Sequence, residues 1–419
     1  MPKKYDLVVV GGGPAGAAAA WRAATLGAKT LCLDKATFPR SKACGDGLTP
    51  RAVSLITEMG LGAELERFHK ITGIRFLGKR RWQVGWPDRA GMPSHGYVAN
   101  RLDLDEMLLH HAGRAGAEIR QSTEAMAAVM MNGRMSGVTV RPRGGQEETV
   151  IADAVIAADG AYSPMRRAIG SGTTSDGIMG IAIRAEMESS RCDTDFVEIY
   201  PRISHGHDVL PGYAWLFPLG GGRINCGIGY AMTYRRWQDI NAVRLFEEFL
   251  KSLPREWDLP SVEELHRRKA VGAWRLPMAF AGGPPWRPGI LFAGDAAGAV
   301  KPSTGAGISR ALQCGMAAAA SAVEALQTTG PSDFSNYERY LKSNWGRTYR
   351  FGAKVHKLAG NPILAAAFAN VLDNPSLRRM AIRAAYGSTI LGNYVEDSVP
   401  EVEVQKIEAG ANQTDSSGA

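Results

Sequence analysis

The chain has 419 residues, 45% of them apolar and 21% charged, and its 49 Lys and Arg outnumber 41 Asp and Glu for a net charge of +8. That composition excludes a disordered or collagen-like chain and gives enough length for two or three packed domains. The positive excess suits an anionic cofactor or an anionic membrane surface; no basic run is interleaved with aromatics, so nucleic acid is not an expected partner.

The five cysteines (Cys32, Cys44, Cys192, Cys226 and Cys314) are odd in number and scattered, with no C-x-x-C. A reduced, cytoplasmic chain is expected. Apolar residues form a strand almost at once, so no signal peptide is expected. No apolar run reaches the roughly 18 residues of a membrane span.

The first stretch with chemistry is Tyr5 to Lys35, YDLVVVGGGPAGAAAAWRAATLGAKTLCLDK. Leu7 to Val10 reads as a buried parallel strand. Gly11, Gly13 and Gly16 make G-x-G-x-x-G, followed by an Ala-rich helix that includes Ala15 and ends near Leu26, with Gly27 as its cap. Thr30 to Leu33 is a second strand, with Asp34 and Lys35 at its end. Gly11 permits the tight turn, Gly13 lets backbone approach a pyrophosphate, and Gly16 lets helix and strand pack closely. The helix N-terminus offers free N–H groups and a positive dipole end. Asp34, 23 residues after Gly11, is placed to bind a ribose hydroxyl. Glycines alone would be a weak signal; strand, helix and acid together predict a dinucleotide site.

A Gly- and Pro-rich loop follows from Lys35 to Pro50, then a helix from Arg51 to about Met59. Residues 71–98 read as strands, Arg101 to about Ala115 as a helix, and residues 117–142 as further strands. Val155 to Ala158 is another buried strand, ending in Asp159-Gly160, and a helix begins at Ser163-Pro164. Residues 171–275 are mostly alternating, aromatic strand-like runs, apart from a helix over about Trp237 to Leu253. Pro284 to Gly289 reads as a turn, Ile290 to Ala293 as a strand ending at Gly294-Asp295, and Gly305 to Gln327 as a long helix. Asp333 to about Leu391 is helical and basic, and the tail after Val395 has a disordered composition. His205-x-His207 lacks a third ligand at sensible spacing, so no metal is expected.

Strand-end carboxylates at Asp159 and Asp295 suit ribose or ribityl hydroxyls, and the helix opening near Gly307-Ile308 is aimed to stabilise negative charge on a ring. With GGGPAG and Asp34, these stretches resemble FAD-dependent enzymes of the p-hydroxybenzoate hydroxylase fold. FPRSKACGDGL is similar to the P-R-x-K-x-C-G-x-G loop of geranylgeranyl reductases. YAWLFPLGGGRINCGIG resembles their Y-x-W-x-F-P…V-G-x-G signature, with Cys226 in place of the usual Val, and Lys301 stands where Asp or Asn is frequent. GDGLTPRAV resembles the menaquinone reductases of that family.

The resemblance implies an α/β fold: a Rossmann-type FAD-binding domain (1–170 and 285–330, with 71–98 on the substrate side), an inserted, mostly antiparallel β domain for substrate (171–284), a C-terminal helical region (331–395) and a disordered tail (396–419). It implies FAD contacts at Gly11, Gly13, Ala15, Gly16, Asp34, Lys35, Cys44, Gly45, Gly47, Arg101, Ala125, Asp295, Gly307 and Ile308. It further implies reduction of prenyl C=C bonds, with electrons from NAD(P)H or a reduced carrier. Geranylgeranyl diphosphate, a geranylgeranyl lipid and a menaquinone tail all remain candidate substrates.

Cys44 has two readings, a proton donor beside the flavin or a small residue packed against it. Tyr213, Trp215 and Phe217 alternate, so they share one strand face, either in a core or on an apolar tunnel wall. Lys342, Arg347, Arg350, Lys354, Lys357, Arg378, Arg379 and Arg383 form either a solvated face or a peripheral contact with the inner face of an anionic membrane. An aromatic monooxygenase of the same fold is the rival enzyme, and a non-enzymatic flavin-binding protein the rival of another class.

Overall fold

The structure, a computed structural model, describes residues 4–373 except 79–80, 87–90, 172–176, 255–256, 258 and 269. The expected disordered tail and Arg378, Arg379 and Arg383 lie outside the described residues. Lys4–Val10 is a central strand of the larger sheet, and Leu7, Val8 and Val9 are fully buried. Burial on both sides explains why it reads as an unbroken apolar run. It pairs in parallel with Glu148–Ala157 on one side and Thr30–Leu33 on the other. Ile290–Phe292 and Glu118–Arg120 extend the parallel sheet at the two ends. Thr123–Met131 and Arg134–Pro142 add an antiparallel meander to Glu148–Ala157.

The first helix runs Pro14–Thr25, and Gly27 follows it at a φ of 83° that glycine adopts without strain. It packs on the helix Ile308–Gln327 through the absence of side chains: a Cβ at Gly315 would lie 2.0 Å from the Ala15 carbonyl oxygen. That second helix starts at Ile308, not Gly305; Gly305 has a φ of 68° and lies in the preceding loop, whose Lys301 N–H bonds Ala306 C=O at 3.1 Å. The Pro284 to Gly289 stretch is more than a turn, because Trp286–Arg287 pairs antiparallel with Ile290–Leu291.

The second sheet has seven strands in the order Val271–Met278, Ile178–Glu188, Arg223–Ala231, Gly212–Gly220, Phe196–Tyr200, Gly73–Leu77 and Arg81–Gly85. Its neighbours run antiparallel apart from Phe196–Tyr200 beside Gly73–Leu77. Alternation divides its faces. Ile183, Ala185, Ala214, Leu216, Ile224, Cys226 and Ile228 pack into a core with Leu245, Phe246 and Leu265 from the helices Ala242–Ser252 and Val262–Arg267. Ala182, Arg184, Tyr213, Trp215, Phe217 and Gly229 face the other way, into a cavity. Cys226 therefore belongs to the core behind the sheet, where a small apolar residue in place of Val is a packing change. His205 sits in a two-residue hairpin, paired with Asp208 across the Gly206-His207 turn.

The helix Ser335–Ala359 is tied back to the first sheet: Tyr337 Oη donates to Phe292 C=O at 2.8 Å and Tyr349 Oη to Ala299 C=O at 2.6 Å. Pro362–Asp373 follows it.

Candidate functional site

A cavity of about 1960 Å³ runs between the two sheets to the C-terminal helices. One small-ligand pocket occupies roughly 300–1,000 Å³, so this space exceeds a single ligand's needs. Gly11, Gly13, Ala15, Asp34, Lys35, Cys44, Gly45, Gly47, Arg101, Ala125, Asp295, Gly307 and Ile308 all line it, as do Tyr213, Trp215 and Phe217. Gly16 does not; it is buried beneath the turn, where a Cβ would lie 1.7 Å from the Gly11 carbonyl oxygen.

The turn is built for close approach of an anion. Gly11 has a φ of 104°, and Gly13 caps the helix. Pro14 has no N–H, and the first intrahelical bond is Ala17 N–H to Gly13 C=O at 2.8 Å, so the Ala15 and Gly16 amides precede the ladder. Arg101 forks onto Asp105 at 2.6 and 2.7 Å, and Arg40 reaches the same carboxylate at 3.3 Å. Two guanidiniums sharing one carboxylate leave net positive charge beside the helix N-terminus. A Cβ at Gly13 would stand 3.2 Å from Arg40 Nη2, which fixes how narrow this groove is. Asp34 Oδ2 accepts the Gly12 N–H at 2.7 Å and Oδ1 the Ala36 N–H at 2.8 Å. Those bonds use one lone pair on each oxygen and hold the carboxylate at the cavity wall. Narrow turn, orphan amides, paired arginines and strand-end acid fit a dinucleotide diphosphate and its ribose.

Across the cavity, Asp295 lies in the turn Gly294–Ala297, and Gly307 caps the helix Ile308–Gln327. A Cβ at Gly294 would meet Ala15 Cβ at 2.8 Å, so the second helix and its turn are held against the first. Lys42 is half-buried with its ammonium 3.0 Å from the centroid of the Trp274 ring. Burial pulls its pKa down to about 7, against the opposing pull of Asp295.

The loop Cys44-Gly45-Asp46-Gly47 is pressed between this region and the second sheet. Cβ atoms at Gly45 and Gly47 would lie 3.3 and 3.1 Å from Phe217 Cε2. Cys44 Sγ accepts the Asp46 N–H at 3.3 Å. Burial raises the Cys44 thiol pKa, opposed by Arg101. Asn225 Nδ2 donates to Cys44 C=O and to Asp46 Oδ2, each at 2.7 Å, and Trp215 Nε1 donates to Asn225 Oδ1 at 3.0 Å. The rings of Tyr213, Trp215 and Phe217 succeed one another at 6.1 and 6.2 Å. Tyr213 Oη donates to Thr304 C=O at 2.7 Å, and burial pushes its pKa up to about 12, which keeps it a donor.

Sequence reasoning missed Arg40, Lys42, Asp46 and Asn225. Asn225 had a signal: one amide in the otherwise apolar strand run RINCGIGYA must find a partner when buried. Asp46 had another, a lone acid between two glycines.

Beyond the aromatic strip the wall is apolar, with Ile71, Ile74, Phe76, Val197 and Ile199. The lining also reaches Phe351, Val355, Ala365 and Phe368. Phe351 and Phe368 are 58% and 40% exposed, marking a mouth, and Ile363 beside them is 78% exposed. Lys342, Arg347 and Arg350 also line that end. Among the described residues no helix is long and apolar enough to cross a membrane.

A family profile described as an FAD binding domain matches residues 4–342. The menaquinone reductase of Mycobacterium tuberculosis is 37% identical over 321 residues, 75% of each chain. The digeranylgeranylglycerophospholipid reductase of Thermoplasma acidophilum is 30% identical over 355 residues, 82% of this chain and 85% of that one. A crystal structure of a geranylgeranyl bacteriochlorophyll reductase-like protein from the same organism superposes with a TM-score of 0.76 at 25% identity, covering 92% of this chain and 97% of the other.

Proposed function

Because this chain belongs to the FAD-binding-domain family and is an FAD-dependent reductase by its relatives, we propose that it saturates C=C bonds of a prenyl chain. The observation that carries this reading is the continuity of one cavity. It joins the glycine turn to Cys44, then to an aromatic and aliphatic wall, and then to an apolar mouth. A prenyl chain needs such a wall, while a small aromatic substrate would not need its length. The M. tuberculosis relative is named for menaquinone and the T. acidophilum relative for a digeranylgeranyl lipid. A quinone tail or a geranylgeranyl lipid is therefore the substrate class.

The chemistry FAD would supply when bound is hydride for one alkene carbon, with an external donor such as NAD(P)H or a reduced carrier as the source of its electrons. The Ala15 amide with Arg40 and Arg101 would hold the diphosphate, Asp34 the adenosine ribose, and Asp295 the ribityl side. The helix N-terminus at Gly307 and Ile308 opens onto the cavity and would favour negative charge on a ring bound there. Tyr213, Trp215 and Phe217 orient the chain and exclude water. Cys44, kept as a thiol by its raised pKa, delivers the proton to the second carbon. The mouth, with exposed Phe351, Ile363 and Phe368 among basic residues, suits peripheral docking on an anionic bilayer, where the substrate resides.

The test is anaerobic. Reduced, FAD-loaded protein is mixed with a menaquinone or a geranylgeranyl lipid in vesicles, and flavin absorbance and lipid mass are followed. Reoxidation with a lipid heavier by one equivalent of hydrogen is expected. Reoxidation by oxygen alone, with hydroxylation of an aromatic compound, would replace this reading by a monooxygenase.

A further inference from the structure

We propose that Asp46 is the proton reservoir of the site: held beside Cys44 by Asn225, it returns a proton to the Cys44 thiolate after each turnover. The proposal deepens the reading of Cys44 as proton donor and rests on it. Asp46 has a φ of 63°, a region that glycine fills freely and that, among residues with a Cβ, Asp and Asn enter more readily than most. A side chain kept at such a position, with glycine on both sides, points to use of its carboxyl. That carboxyl is fully buried. Asn225 Nδ2 bonds Oδ2, while Oδ1 is buried with no hydrogen-bond partner. An uncompensated buried oxygen of this kind favours the protonated acid.

The groups facing Asp46 come from several elements. Arg184 and Glu186 lie on Ile178–Glu188, Arg101 on its helix, Asn225 on Arg223–Ala231, and Cys44 in the same loop. Arg184 bridges Glu186 at 3.0 Å, so much of its charge is already balanced. Burial raises Asp46 to about 7, against the opposing pull of Arg184. Cys44 lies above the ordinary thiol range for the same reason. Proton transfer from the Asp46 acid to a Cys44 thiolate is therefore downhill.

The turnover balances as follows. The alkene gains a hydride from the bound, reduced cofactor and a proton from the thiol. The thiolate takes the Asp46 proton, and the carboxylate takes one from water. The external two-electron donor, a reduced nicotinamide or a reduced carrier, restores the cofactor.

FAD-loaded wild type, Asp46→Asn and Asp46→Glu are alkylated with iodoacetamide between about pH 5.5 and about pH 10.5, a span covering both titrations. Carbamidomethylation is read by mass spectrometry at Cys44, the half-buried cysteine; the other four are buried. Asn accepts a positive φ and can keep the Asn225 bond, so that variant is expected to fold. Removing the neighbouring charge should lower the Cys44 inflection by about one unit, and Glu should restore it. Turnover should fall as pH rises through about 7 in wild type, because the reservoir empties, and the fall should be shallower in Asp46→Asn, where Lys42 is left as the group of this cavity titrating near 7. A Cys44 profile in Asp46→Asn that superimposes on wild type overturns the proposal. The alkylation readout does not require prenyl turnover, so a failure of the prenyl reading would appear separately, as reduced flavin that no prenyl lipid reoxidises.

Discussion

Substituting Gly315 by Ala sets two effects of opposite sign against each other. In the interior of Ile308–Gln327, Ala is favoured over Gly by about 1 kcal/mol. The new Cβ, however, would lie 2.0 Å from the Ala15 carbonyl oxygen and 2.9 Å from its carbon. Both are backbone atoms of the other helix, so the helices must part by about 1 Å or more to restore contact distances. Overpacking of this kind costs about 1–3 kcal/mol, which outweighs the propensity gain. The displaced atoms belong to Ala15, whose amide lines the cofactor end of the cavity, so FAD affinity should fall with stability, by about 10- to 100-fold, or about 1.4–2.8 kcal/mol. Urea unfolding of the deflavo protein and fluorescence titration with FAD measure the two effects. Gly346→Ala is the control: it is helical, its Cβ would meet nothing closer than Lys342 Cβ at 3.9 Å, and it should gain up to about 1 kcal/mol. If Gly315→Ala behaves like the control, with a raised urea midpoint and unchanged FAD affinity, the close helix contact does not position the cofactor site.

Cys44→Ala should retain FAD but slow prenyl reduction by about 100- to 10,000-fold while leaving flavin reduction by the donor near normal; stopped-flow measurement of the two half-reactions separates these. Asp34→Ala strips the Gly12 and Ala36 amides of their carboxylate acceptor, and FAD affinity should drop by about 1.5–3 kcal/mol, read by the same titration. Replacing Arg347, Arg350 and Lys354 together by Glu should weaken sedimentation with anionic vesicles at low salt by about 100-fold or more, counting about 1 kcal/mol per basic residue removed, with bound FAD unchanged. Vesicle binding that ignores both salt and this triple change would leave the basic face merely solvated.

What the sequence made legible was local. The glycine turn, its flanking strands and Asp34 all fall within one strand–helix–strand unit, whose periodicity and turn chemistry are set by near neighbours. The alternation of Tyr213, Trp215 and Phe217 likewise put them on one face before any fold was known. Other features depended on distance along the chain. Asn225 meets Asp46 across 179 residues, and no local rule relates them. Tyr213 is bonded to Thr304 across 91 residues, so the aromatic strip and the loop before Ile308 could not be joined from pattern alone. The helix Val262–Arg267 was passed over because six residues give too little periodicity, though Ser261 three residues before Glu264 is a capping-box signal, and its side chain does accept the Glu264 N–H. His205 and His207 lie in a tight hairpin.

The strand order of the larger sheet governs how the chain leaves the ribosome. Lys4–Val10 is made about 140 residues before its neighbour Glu148–Ala157, a wait of about 7–30 s at about 5–20 residues per second. During that wait one edge of a fully apolar strand has no lasting partner. Ile290–Phe292 is later still, after the whole second sheet has emerged, and the Asp295 turn and the Ile308 helix come after it. The two helix N-termini that frame the cofactor site thus meet only after Ile308 has been made. The complete FAD site therefore forms late in synthesis, after both sheets have been made.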